Sequence, residues 1–148
     1  MNVEEILQTE TKIPLESRTI IHFLLVNNKI NEAISNVLKP FDISSQQFNV
    51  LRILRGQNGN PANLSTLNER MVTKMSNTTR LVDKLLLKGY VDRITCPSNR
   101  RKVEISITDL GEKALKKMDI AMKNAEKEIL KNLTKTELNQ LNSLFNKL

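Results

Sequence analysis

Residues 64–107 read LSTLNERMVTKMSNTTRLVDKLLLKGYVDRITCPSNRRKVEISI, and the spacing of apolar residues changes along this stretch from helical to alternating. The first part predicts a short helix from Leu64 and a second helix over 73–88, capped by Thr73 and ended by Gly89. Beyond Gly89, apolar residues at every second position predict a β-hairpin with strands over 90–95 and 103–107. This order of elements is that of a winged helix-turn-helix.

The same stretch carries the positive charge of the chain. Residues 70–102 contain nine Lys or Arg and two acidic residues, so their charge of +7 equals the net charge of all 148 residues. A neutral scaffold with one basic segment is typical of a protein that binds a phosphate backbone. A merely solvated charged surface is the alternative interpretation.

Amphipathic helices are predicted on both sides of this unit. Apolar residues spaced by three or four predict a long helix over 15–38, which Pro40 prevents from continuing. Ser44 with Gln47 forms a capping box for the next helix. After the hairpin, Thr108 caps a long helix, and a second capping box at Thr134 opens the last one.

These elements predict a mainly α fold with a small β-hairpin wing. We divide the chain into an N-terminal dimerisation region at 1–39, a winged helix-turn-helix at 40–108 and C-terminal dimerisation helices at 109–148. A core poor in aromatic residues, with four Phe, one Tyr and no Trp, suggests that a second subunit completes the burial of the apolar stripes.

Several functional classes are disfavoured by the composition. One cysteine, Cys96, excludes an intramolecular disulfide, and one histidine, His22, cannot build a metal site. The sequence contains no glycine-rich phosphate loop, no nucleophile elbow and no apolar pair of carboxylates, so nothing in it indicates an enzyme or a cofactor. Glu4 and Glu5 lie in a leader that is expected to be frayed. Without a signal peptide or a membrane-spanning apolar run, we expect a cytoplasmic protein.

The second helix of the unit has a polar face suited to a major groove. Short side chains at Ser76, Asn77 and Thr79 could approach base edges closely, and Arg80 could grip a guanine or a phosphate. The basic end of the hairpin suits the minor groove, where negative potential attracts arginine. We therefore predict DNA contacts by Ser76, Asn77, Thr79, Arg80, Lys84, Arg100, Arg101 and Lys102.

Five segments together resemble the core signature of MarR-type (multiple antibiotic resistance regulator) transcription factors: residues 44–51 (SSQQFNVL), 71–87, 88–93 (KGYVDR), 99–101 (NRR) and 107–111 (ITDLG). The resemblance extends from about residue 16 to the C-terminus. It implies a homodimer with interlocked terminal helices, in which each subunit presents one winged domain to half of a pseudo-palindromic operator in double-stranded DNA. It also implies a regulator, most often a repressor, that a small molecule or an oxidant controls at the junction of the dimerisation and DNA-binding regions.

The resemblance also assigns roles to single residues. Ser76, Asn77, Thr79 and Arg80 match the family's recognition-helix contacts, and Arg101 matches its minor-groove arginine. The family has Asp at the position of Asn99, where the carboxylate orients the wing arginine. Because an amide cannot form that ion pair, this departure predicts a weaker or different anchoring of the wing.

Some alternatives stay open at this point. The unit could serve protein contact or non-specific nucleic-acid binding instead of reading a DNA sequence. Cys96 is either a redox switch or a bystander, and His22 is either a packed residue or a ligand contact. Arg93 could contact DNA, pack on the hairpin or hold Asp92.

Overall fold

Seven helices and one hairpin make up the part of the chain that the structure describes. The computed structural model describes the backbone of residues 2–73, 77–96 and 99–148, and the side chains of these residues except 96 and 99–102. The elements in chain order are α1 (Val3–Ile6), α2 (Leu15–Leu38), a 3-10 turn (Lys39–Phe41), α3 (Ser45–Arg55), α4 (Leu64–Arg70), α5 (Thr78–Leu87), β1 (Val91–Cys96), β2 (Asn99–Ile107), α6 (Asp109–Leu130) and α7 (Lys135–Phe145). The predicted mainly α fold with a hairpin is confirmed.

The predicted caps of α3, α6 and α7 are present. The Ser44 hydroxyl accepts from the backbone N–H of Gln47 at 3.2 Å, and the Gln47 side chain accepts from the backbone N–H of Ser44 at 2.9 Å. Thr134 and Glu137 form the same reciprocal pair at the start of α7. Thr108 caps α6 through its hydroxyl, which accepts from the N–H of Gly111 at 3.0 Å. Each cap satisfies donors that the first turn of a helix leaves without a partner.

The core lies mainly between α3, the back of α5 and the start of α6. Leu51, Leu85, Ile105, Leu115 and Met118 are fully buried there and belong to one cluster. Aliphatic side chains and methionines dominate this cluster, as the composition predicts. The core therefore fixes α5 firmly from behind and leaves its other face to solvent.

The hairpin has an anchor that the sequence pattern does not reveal. Strand β1 pairs antiparallel with β2, from Val91 opposite Ile107 to Thr95 opposite Val103. Ala62, in the segment predicted as a plain loop, forms a β-bridge with Ile105 through two backbone hydrogen bonds of 2.9 and 2.8 Å. This bridge holds β2 against the base of α4.

The N-terminal leader differs from the expectation of a frayed segment. Residues 3–6 form α1, whose Val3 is fully buried. The Arg18 guanidinium donates to Glu4 at 2.8 Å and lowers the pKa of that carboxyl, so α1 is tied to α2. None of the helices in the described ranges is long and apolar enough to cross a membrane.

Candidate nucleic-acid interface

Helix α5 begins one turn later than the sequence predicts. Its N-cap is Asn77 rather than Thr73, and the Asn77 side chain accepts from the N–H of Arg80 at 3.4 Å. Thr78 follows as a buried residue whose hydroxyl donates to the side chain of Asn68 in α4. This hydrogen bond joins the first turn of α5 to α4. Ser76 lies outside the described residues, and its predicted role stays a prediction.

The two faces of α5 differ as a groove-binding helix requires. Thr78, Val82 and Leu85 are buried against the core. The predicted contacts Asn77, Thr79, Arg80 and Lys84 are all exposed on the remaining surface of the helix. A B-DNA major groove admits one helix, and its readout needs polar side chains on the outer face. The four predicted contacts of this helix that the structure describes are thus all accessible to solvent.

The connection between α4 and α5 is held by two asparagines that sequence reasoning missed. Asn68 accepts from Thr78, and the Asn49 side chain accepts from the backbone N–H of Val72 at 2.9 Å. The partners are 10 and 23 residues apart in the chain, so no local pattern could indicate them. Because Asn49 belongs to α3, this hydrogen bond attaches the connection between α4 and α5 to α3.

An ion pair connects the recognition helix to the wing. The Arg93 guanidinium of β1 donates to the carboxylate of Asp83 on α5 at 2.7 Å. Arg93 therefore pairs across elements, rather than with its neighbour Asp92. Both groups are partly exposed, so the pair itself adds at most about 1 kcal/mol of stability. The pair joins the outer part of α5 to strand β1 of the hairpin.

The basic triplet of the wing lies in strand β2 rather than at the hairpin turn. The predicted turn over 96–100 is shorter in the structure, because Cys96 and Asn99 already pair as strand residues. Val103 pairs with Thr95, so the register shifts at residues 100–102. The side chains of Asn99, Arg100, Arg101 and Lys102 lie outside the described ones, and their DNA contacts stay a prediction.

The C-terminal end of α5 is also fixed by charge. The Lys88 ammonium donates to Asp42, which precedes α3, at 2.6 Å. Lys88 holds the pKa of the Asp42 carboxyl below its usual value, and the nearby Lys84 adds to this effect. Contacts at Asn68, Asp83 and Asp42 thus hold α5 at its start, middle and end.

Two hollows lie away from the exposed polar face of α5. A small cleft of about 200 Å³ lies where α2 and α6 meet α3, and Val72 and Thr73 of the α4–α5 connection form part of its wall. A more apolar cavity of about 610 Å³ lies between α2 and α7, and His22 lines it. Phe23 and Phe145 approach each other beside this cavity, with ring centroids 5.8 Å apart. Among the described residues, no cluster of His, Cys, Asp or Glu could hold a metal ion.

The comparisons with known proteins agree with this geometry. Residues 43–103 match the family model described as the MarR family. The multiple antibiotic resistance protein MarR of Escherichia coli is 29% identical over 130 residues, which cover 86% of this chain and 87% of that protein. The protein of the same name from Salmonella typhimurium is 29% identical over 126 residues, covering 84% and 85%.

Residues 43–103 are therefore a MarR-type winged helix-turn-helix unit.

Solved structures extend the MarR-type likeness beyond the matched segment. A mutant of MarR from E. coli complexed with operator DNA has a TM-score of 0.75 at 29% identity and covers 97% of this chain and 95% of its own. A putative MarR-like transcription regulator from Bacillus cereus has a TM-score of 0.78 at 26% identity and covers 90% and 96%. The MarR-type fold therefore includes the terminal helices as well as the winged unit.

Proposed function

We propose that this MarR-type regulator binds a specific operator in double-stranded DNA. The observation that carries the proposal is the exposed polar face of α5, which presents Asn77, Thr79, Arg80 and Lys84 while its back is buried. The solved relative complexed with operator DNA supports the same use of the fold. In this arrangement α5 enters the major groove, and residues 100–102 of the wing reach the adjacent minor groove.

The operator would be read by a homodimer. Apolar side chains of α2 and α7 remain exposed in the single chain, among them Ile20, Leu24, Leu144 and Phe145. A symmetric dimer would bury these stripes and present two winged units to DNA. Two half-sites about 10 bp apart, centre to centre, would then form a pseudo-palindrome.

The regulator would act as a repressor that an effector releases. Relatives named as repressors include IacR of Pseudomonas putida, 24% identical, and MprA of E. coli, 25% identical. The cleft at the junction of α2, α3 and α6 supports a small-molecule input, because its wall includes Val72 and Thr73, which lead into α5. A ligand there would shift the equilibrium only by preferring the form that does not fit the operator. An oxidant acting on Cys96 is the alternative input.

A binding experiment separates this function from the alternative of a protein-contact or non-specific nucleic-acid module. Fluorescence anisotropy would compare DNA from upstream of the protein's own gene with random DNA of equal length. A regulator should prefer the upstream fragment by ~10³ or more at physiological salt. A non-specific binder would show little preference and the same steep salt dependence on both fragments.

Substitution of Arg80 tests the recognition helix itself. Arg80→Ala should cost about 1–3 kcal/mol of operator binding and relax the sequence preference. Lys123→Ala, an exposed lysine of α6 outside the interface, is the matched control. Unchanged operator affinity of the Arg80 variant would remove this residue from the recognition set.

A further inference from the structure

A third surface hollow, distinct from the junction cleft and from the cavity between α2 and α7, lies beside the C-terminal half of α5. This groove of about 590 Å³ is formed by the end of α2, the 3-10 turn, the start of α3 and α5. Its volume falls within the range of small-molecule sites. It shares only Lys84 with the predicted DNA contacts, so its other residues have no role in the function described above.

The charges lining the groove do not balance. Three lysines, Lys39, Lys84 and Lys88, face one acid, Asp42. Lys88 is paired with Asp42 at 2.6 Å, whereas no carboxylate of the described residues lies within 4.0 Å of the Lys39 or Lys84 ammonium. Three ammonium groups thus share one concave surface with a single carboxylate, and an anion bound there would relieve the repulsion that remains between them.

Neutral donors at the start of α3 complement these ammonium groups. Gln47 is only 5% exposed, yet it forms part of the groove wall. Its carbonyl accepts from the N–H of Ser44, while its amide nitrogen has no acceptor among the described residues. Every fully buried side-chain polar atom of the described residues has a hydrogen-bond partner. The Gln47 nitrogen has none, so it must be partly exposed, and the groove is the surface that Gln47 lines. The positive end of the α3 dipole also favours an anion at this place.

We propose that this groove binds a small phosphate monoester, with the phosphate between Lys39 and Lys84 and near the amide of Gln47. A phosphate monoester carries a charge of about −1.5 to −2 at neutral pH and three acceptor oxygens, which suits two ammonium groups and several donors. A single carboxylate would compensate only half of that positive charge. The organic part of the ligand would lie along Leu87, which is 89% exposed at the rim.

The bound phosphate would compete with DNA for Lys84. This consequence rests on the proposed function, because it requires Lys84 to contact a phosphate of the operator. Occupancy of the groove should then weaken operator binding, and operator binding should weaken ligand binding by the same factor. The groove would act as a regulatory input separate from the junction cleft.

Calorimetric titration of the full-length protein without DNA tests the site directly. Phenyl phosphate should bind saturably with a Kd of about 1 mM or lower, the range expected for a small ligand with few contacts. Lys39→Gln and Lys84→Gln should each weaken this binding about tenfold, whereas Lys117→Gln on α6 should not change it. Inorganic phosphate should bind at the same site, and benzoate should bind at least about tenfold more weakly because of its smaller charge.

Three results would overturn the proposal: no saturable heat, equal binding by the Lys39 variant and the wild type, or equal binding of benzoate and phenyl phosphate. Operator binding in the presence of phenyl phosphate then tests the coupling. Lys39→Gln should bind the operator normally in ligand-free buffer and lose the response to phenyl phosphate. If phenyl phosphate binds but the operator does not, the proposed function is rejected and the phosphate site stands. If the operator binds but phenyl phosphate does not, the phosphate site is rejected and the proposed function stands.

Discussion

Gly111 shows how one residue joins the winged unit to the long helix α6. Its position is buried, and a Cβ atom there would overlap the backbone carbonyl of Tyr90 and lie 2.9 Å from Cγ1 of Ile107. The same Tyr90 carbonyl accepts from the N–H of Thr108 at 3.1 Å. A glycine in the first turn, unfavourable by helix propensity, is therefore required by the close approach of two backbones.

Gly111→Ala should destabilise the protein by about 1–3 kcal/mol, since the added methyl group must displace backbone rather than a flexible side chain. Urea unfolding followed by circular dichroism measures this change. Lys113→Ala, an exposed substitution in the same helix, should stay within about 0.5 kcal/mol of the wild type. An alanine variant as stable as the wild type would show that the helix can move away from Tyr90 without cost.

Single residues were predictable where their partners are close in sequence. Both capping boxes and the Thr108 cap involve partners three residues apart, and all three are present. Asn49 and Asn68 gave no signal, because their partners become neighbours only after α3, α4 and α5 have packed. The contacts of Ser76 and of the wing residues 100–102 stay predictions.

At the scale of elements, the helices α2 and α5 show why boundaries differ in predictability. The predicted bounds of α2, residues 15–38, coincide with the structure because Pro14 and Pro40 delimit it locally. The predicted start of α5 was wrong, because Thr73 and Asn77 are both acceptable caps by residue type. The cap in the structure is Asn77, next to Thr78, which contacts α4. The bridge of Ala62 to β2 escaped notice because it is a long-range backbone contact.

The Asp83–Arg93 pair makes the angle between helix α5 and the wing a testable quantity. Asp83→Asn removes the negative charge that holds Arg93, which lies beside the surface proposed to contact DNA. We expect random DNA to bind more tightly and the ratio of specific to non-specific affinity to fall about threefold, in keeping with an exposed pair of up to ~1 kcal/mol.

Anisotropy titrations on operator and random DNA measure this ratio. Asp92→Asn, which removes the neighbouring acid of β1 without touching the ion pair, is the matched control for charge alone. If both variants change the ratio equally, the pair has no role in fixing the wing.

The capping box of α7 gives this helix a dependence on pH. Glu137 accepts hydrogen bonds from the backbone N–H and the hydroxyl of Thr134, and these bonds lower the pKa of its carboxyl below 4.5. The unfolded chain therefore binds this proton more readily than the folded one. The stabilisation is fully present above pH 4.5 and is lost as the pH falls through the lower pKa of the folded state.

Glu137→Gln should flatten the dependence of unfolding free energy on pH below about pH 5, because glutamine accepts the same bonds without titrating. Chemical unfolding between pH 3 and 7 compares the variant with the wild type. The control is Glu128→Gln on the exposed surface of α6, which removes a carboxylate that pairs with Lys131 outside the cap. This variant should keep the pH dependence of the wild type. Parallel curves for wild type and Glu137→Gln would mean that the cap is not formed in solution.

At the scale of the whole molecule, charge and apolar surface are segregated. Residues 70–102 of the winged unit carry a charge equal to the net charge of the whole chain, and the unit holds most of the buried core, whereas α2 and α7 expose apolar side chains. The first property favours attraction to DNA, and the second favours association of the terminal helices. The two properties are complementary, because a dimer doubles the number of cationic units that one DNA duplex can engage.

The proposed dimer should dissociate when a charge is introduced at an exposed apolar residue of α2. Leu24 is 57% exposed, and in a two-fold interface a single substitution places a charge there twice. Full burial of each leucine contributes about 1.5–3 kcal/mol to the stability of the dimer. Leu24→Glu removes this contribution and adds the cost of desolvating a carboxylate. In sedimentation equilibrium, the wild type should have twice the 16.9 kDa mass of the chain, and the variant should have the mass of one chain.

Leu87→Gln, on α5 and away from the terminal helices, should remain dimeric and controls for the loss of an exposed leucine. The monomeric Leu24 variant should also bind a complete operator only as weakly as the wild type binds a single half-site, since one winged unit then engages the DNA alone. A dimeric Leu24→Glu protein would place the subunit interface elsewhere than this part of α2. A wild type that sediments as one chain at micromolar concentration would instead remove the dimer, and with it the reason for a pseudo-palindromic operator.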